Sequence, residues 1–129
     1  VMNHSFVVNK NFEKLLADLE SNLAICTDKK VTMRAVMEYR VYMDARLFFD
    51  VIDLIKQIGI EYVLPSTGYR LDNYTDNLIA AKTIMDKSGL KVICNGTVHS
   101  KEEYEKIKKL DVYGVRFNSV RVARDIFGV

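Results

Sequence analysis

Two stretches decide the fold: Ile58-Gly-Ile-Glu-Tyr-Val63 and Ser88-Gly-Leu-Lys-Val-Ile93. In each, an amphipathic segment stops at a glycine, the residue that best adopts the left-handed conformation just past a helix C-terminus. One apolar residue follows, and then a short run that reads as a buried strand. Working outward, Asn11 can cap a helix in which Phe12, Leu15, Leu16, Leu19 and Leu23 share one stripe, and Val31 to Tyr39 reads as a strand. Asp44 can cap the helix that ends at Gly59, and Thr75 the helix that ends at Gly89. Ser100-Lys-Glu-Glu103 is a capping box that opens a further helix. A strand from Val112 to Phe117 and a short helix from Val120 to Phe127 complete the pattern.

Expected strand starts at 31, 61, 91 and 112 are spaced 30, 30 and 21 residues apart, the rhythm of consecutive βα units in a parallel sheet. With 129 residues there is room for about four such units, against the roughly 250 residues of a closed eight-stranded barrel. The expected fold class is therefore α/β: four βα units with parallel strands, curved into half of a (β/α)8 barrel or splayed as a doubly wound sheet. No linker or composition break divides the chain, so residues 1–129 are read as one domain.

The chain is 49% hydrophobic and 28% charged with one proline, which excludes a disordered or low-complexity spacer. Nineteen Lys and Arg against seventeen Asp and Glu give a net charge of +2 and no general reason to expect nucleic acid or an anionic membrane as partner. No run approaches the roughly 18 apolar residues of a membrane span, and residues 1–10 lack the pattern of a secretory leader. Cys26 and Cys94 form neither a metal spacing nor a disulfide framework, so a cytoplasmic protein with free thiols and no metal or other cofactor is expected. His4 and His99 are expected in loops with no nucleophile or acid at a diagnostic spacing.

In parallel α/β folds ligands bind at the carboxyl ends of the strands. Here those ends are Glu38-Tyr39-Arg40, Pro65-Ser-Thr-Gly-Tyr69, Asn95-Gly-Thr97 and Asn118-Ser119. Three of the four put small hydroxyl, amide or glycine residues ahead of a helix N-terminus, where free N–H groups favour a phosphate or another anion. The same residue types also make ordinary turns and caps. Glu38, Tyr39 and Tyr69 could line a pocket there or pack at its rim. Cys94 is expected to face the helix layer as a structural thiol.

Several of these segments resemble the class I deoxyribose-phosphate aldolase family. Tyr62-Val-Leu-Pro-Ser-Thr-Gly68 resembles its F-I-K-T-S-T-G, Val36-Met-Glu38 the I-E-T end of its fifth strand, and Phe12 to Ile25 its fourth helix. Val92 to Glu103 is similar to K-A-S/A-G-G-I/V-R-T-x-E-D, Tyr113 to Ser119 to R-I-G-T-S-S, and Val1-Met-Asn3 to the end of the fourth strand. The resemblance implies the second half of a class I aldolase barrel. It also implies that catalysis by the family's route is lost. Leu64 stands where the family has its Schiff-base lysine and Ile93 where it has the lysine that activates it, and neither side chain has a nitrogen. The family's catalytic aspartate would lie before Val1.

By the same resemblance Ser66, Thr67, Gly68, Asn95, Gly96, Thr97, Arg116, Asn118 and Ser119 are the candidate phosphate-binding residues, although Thr97 and Arg116 replace family glycines. Arg116 could clamp a phosphate, point outward or pair with Glu38. A small phosphorylated ligand is the expected partner if this cradle works. The other expectation is a non-enzymatic assembly module, since half a barrel leaves two strand edges and an apolar face open. A second copy, or a complementary half-barrel, would cover them.

Overall fold

The computed structural model describes residues 1–69, 73–95 and 98–129. Its elements follow in the order α1 (His4–Val8), α2 (Phe12–Asp28), β1 (Arg34–Val36), α3 (Ala45–Gln57), β2 (Tyr62–Leu64), α4 (Tyr74–Ser88), β3 (Lys91–Asn95), α5 (Lys101–Lys108), β4 (Gly114–Arg116) and α6 (Val120–Phe127), with a 3-10 turn at Tyr39–Val41. The four strands form one sheet in the order β1-β2-β3-β4, and every neighbouring pair is parallel. This is the α/β fold of four βα units read from the sequence.

Local chemistry explains most of the boundaries. Asn11, Asp44 and Ser100 cap α2, α3 and α5, each accepting a hydrogen bond from the backbone two or three residues inside its helix, and the capping box at Ser100 and Glu103 is complete. Gly59 and Gly89 follow α3 and α4 at φ +87° and +70°, so both are used in the left-handed region the sequence argument required. Three expectations need correction. Helix α4 is capped by Asn73 rather than Thr75, because the Asn73 side chain accepts from Asp76 N at 2.7 Å and starts the helix two residues earlier. His4 is half-buried at the start of a helix, not in a loop, since Asn3 caps α1. Strands β1 and β4 are only three residues long, because parallel pairing begins at Arg34 and Gly114 rather than at Val31 and Val112.

The core lies on one side of the sheet. Ala35, Met37, Val63, Val92 and Cys94 pack there against Leu15 and Leu19 of α2, Val51, Ile52 and Ile55 of α3, Ala81 and Ile84 of α4, Ile107 of α5 and Ile126 of α6. Fully burying side chains of this size contributes roughly 1.5–3 kcal/mol each, so this layer supplies most of the stability. The period of two then sends Arg34, Val36, Leu64, Ile93 and Arg116 to the opposite face. Among the described residues no helix lines that face, which forms an open concavity of about 520 Å³. Leu64 and Ile93 are themselves buried, by their neighbours along the sheet, yet they stand outside the core. At the outer edge of β1, Met2 N donates to the Val36 carbonyl at 3.2 Å, and the Met2 side chain is buried in the core. Among the described residues no helix is long and apolar enough to cross a membrane.

Candidate functional site at the strand ends

The register brings Leu64 and Ile93 together. Val36 pairs with Leu64 and Ile93 with Gly114, while Val63 pairs with Val92, so extending the β2–β3 ladder by one residue sets Leu64 beside Ile93. Both line the concavity with Val36 between two arginines, Arg34 below and Arg116 above. An amine at either position would be in a largely apolar layer. The side chains present have no group that titrates or attacks a carbonyl.

Above this layer the ends of β1, β2 and β3 are tied by a polar network. Glu38 is 1% exposed and adopts φ +57°, ψ +67°, a left-handed conformation that costs a residue with a side chain roughly 1 kcal/mol or more. That conformation turns the carboxylate toward the β2 loop, where it accepts from the Thr67 hydroxyl at 2.5 Å and from the Thr67 N–H at 3.3 Å. Pro65 cannot donate, but its carbonyl accepts from Tyr39 N at 2.8 Å, so the proline is tolerated at a strand end whose acceptor is still used. Asn95 is equally buried. Its Nδ2 donates to the carbonyls of Ser66 and Thr67 at 3.2 and 2.8 Å, and its own carbonyl accepts from Asn77 Nδ2 at 2.8 Å.

Most donors of the Ser66-Thr67-Gly68 turn are consequently engaged. Thr67 N and Oγ1 point to Glu38, Gly68 N donates to Ser66 Oγ at 2.8 Å, and Tyr69 N donates to Thr67 Oγ1 at 3.2 Å. A buried carboxylate at the centre of the turn also opposes a second negative charge. Arg116 sits apart from it, exposed and in register with Asn95, and makes no ion pair with Glu38. Ser119 and Asn118 are exposed, Ser119 serving as the cap of α6 through its Oγ and Val122 N at 3.4 Å. Gly96 and Thr97 lie outside the described residues.

The three proposed pocket residues do not converge. Glu38 is locked inside the network, whereas Tyr69 is 87% exposed. Tyr39 instead borders a groove of about 380 Å³ on the helix side, between α3 and α4, with Tyr42, Phe48 and Ile79. Sequence reasoning missed Asn77 and the groove. The available signal for Asn77 was an amide inside the buried stripe of a helix, flanked by Leu78, Ala80 and Ala81. Cys94 faces the helix layer as expected, and burial pushes its thiol up to about 12, which makes it a structural rather than a nucleophilic group. Burial likewise raises the Tyr42 hydroxyl above its ordinary range. Among the described residues no group of three or more His, Cys, Asp or Glu side chains could hold a metal ion.

No protein-family model matches the chain, and no curated protein matches it. Solved structures do match. An aldolase titled QR15 superposes with a TM-score of 0.74 at 14% identity, over 88% of this chain and 50% of its own. The N-acetylneuraminate lyase of Mycoplasma synoviae superposes with a TM-score of 0.62 at 11% identity, over 89% of this chain and 40% of its own. At these identities the likeness is one of fold. The four βα units have the architecture of aldolase barrels, and the chain spans about half the length of the aldolases it matches.

Proposed function

We propose that this chain is a deoxyribose-phosphate-aldolase-like barrel half that has lost Schiff-base chemistry and keeps an anion site at the carboxyl ends of its strands. The observation that carries the reading is the pair Leu64 and Ile93, neighbours in one layer of the concave face at the two positions where the resembling family has lysines. Covalent class I catalysis needs an amine whose pKa is lowered by a cation or a dry pocket. This layer offers apolar neighbours without the amine.

The ligand expected is a small phosphorylated molecule. With the Ser66 to Gly68 turn engaged internally, Arg116 is the cation offered to it among the described residues, with Asn118 and the cap of α6 at Ser119 beside it in sequence. Incubation with deoxyribose 5-phosphate and borohydride tests the lost chemistry, and no mass increase is expected. A covalent adduct would overturn it. An amide-resolved titration with inorganic phosphate and with deoxyribose 5-phosphate tests the site: shifts are expected at residues 116–120, reduced in Arg116→Gln, whereas shifts confined to residues 66–68 would move the site to the turn.

The second reading, an assembly module completed by another half, is favoured by the open concavity of about 520 Å³ on an otherwise packed sheet.

A further inference from the structure

The concave face has a charge pattern that distinguishes what can cover it. Its middle is apolar, with Val36, Leu64 and Ile93. Among the described residues the charges that border it are Arg34 and Arg116, and no carboxylate lines it. Lys91, at the same end of the sheet as Arg34, is already neutralised by Glu61 at 2.9 Å and covers the rings of Tyr62 and Tyr113. Arg34 and Arg116 have no ion pair among the described residues. Each is exposed while the face is open.

Closing the barrel with an identical copy about a two-fold axis along its length would set each arginine across the interior from its own equivalent, at the same height. Four guanidinium groups would then enter a space that brings no carboxylate with it. Charges moved from water to a poorly solvated interior need partners, and like charges there repel more strongly than at the surface. An apolar layer flanked by arginines at both ends instead matches a layer of apolar side chains flanked by carboxylates.

We infer that the concave face is built to receive a non-identical set of βα strands with inward-facing carboxylates opposite Arg34 and Arg116, and not a second copy of this chain. The inference deepens the barrel-half reading and is independent of whether Schiff-base chemistry is lost, so the borohydride experiment and the one below fail separately.

The probe is the chain itself with the charges reversed, Arg34→Glu/Arg116→Glu, and the readout is mass by light scattering with sedimentation equilibrium at low and high salt. Wild type and the reversed variant are each expected to be monomers of about 14.8 kDa. Their equimolar mixture is expected to form a one-to-one complex, with an affinity at least about 100-fold above wild-type self-association and weakening as salt rises. A neutral variant, Arg34→Gln/Arg116→Gln, is expected to self-associate more than wild type, which controls for any misfolding of the reversed variant because all three keep the same apolar layer. A wild-type dimer that persists at low salt, or a mixture that stays monomeric while the neutral variant does too, overturns the inference.

Discussion

Replacing Thr67 by valine removes one hydroxyl and almost no volume, and the structure lets its cost be worked out. The Thr67 hydroxyl donates to Glu38 Oε2 at 2.5 Å, and the carboxylate it serves is 1% exposed. A hydrogen bond to a charged acceptor is worth about 1.5–3 kcal/mol, and water cannot reach the carboxylate to replace it. The hydroxyl also accepts from Tyr69 N, but Tyr69 is 87% exposed and water can satisfy that N–H at little cost. The expected loss for Thr67→Val is therefore about 2–3 kcal/mol, a large part of the roughly 5–15 kcal/mol that holds a domain together. With a slope of about 2 kcal/mol/M in urea, the midpoint should fall by about 1–1.5 M with the slope unchanged. Glu38→Gln keeps the shape and removes the charge, and Thr67→Val on that background should cost at least about 1 kcal/mol less than on wild type. A Thr67→Val loss below about 0.5 kcal/mol, or strict additivity in the double variant, would refute the view that this pair locks β1 to the β2 loop.

Leu64→Lys places an amine in the apolar layer beside Ile93, so its pKa should be depressed and borohydride should trap it with a small aldehyde where wild type gives no product; an untrapped variant that remains folded by circular dichroism counts against the apolar-layer reading. Cys94, with its thiol pushed up to about 12, should resist alkylation at pH 8 in the folded protein while half-buried Cys26 reacts, giving one labelled thiol by mass and two in urea; rapid double labelling of the native chain would contradict the burial. The same thiol makes stability pH-dependent at the alkaline end. Its folded pKa lies above the ordinary value of 9.0, so the stabilisation is complete below about pH 9 and is lost as pH rises toward about 12; Cys94→Ala should flatten that decline in urea midpoints. Gly89→Ala should cost about 1 kcal/mol from backbone strain alone, since φ is +70° and nothing lies within 4 Å of the added carbon; a neutral result would place the residue outside the left-handed region.

How far the strand-end site can be read in advance follows from the distance over which each contact acts. The Ser100–Glu103 box and the glycine after α4 are decided within a few residues, and both were legible. Glu38 and Thr67 are 29 residues apart, and Asn77 reaches Asn95 across 18. Nothing local to Thr67 indicates that its hydroxyl will be spent on a carboxylate from the neighbouring strand. A turn rich in serine, threonine and glycine thus reads as an anion cradle until its donors are counted in three dimensions.

The sequence by itself determined the βα rhythm, the caps of α2, α3 and α5, the glycine stops of α3 and α4, and the lack of nitrogen at positions 64 and 93. These are properties of residue type, of periods 2 and 3.6, and of backbone preferences that act within one turn. Only the tertiary structure decided that Leu64 and Ile93 are neighbours on one concave layer, that Glu38 takes a strained conformation to hold Thr67, and that Arg34 and Arg116 frame that layer without carboxylates among the described residues. Those depend on strand register and on which face the helices cover, and both are fixed by the packing of residues about thirty positions apart.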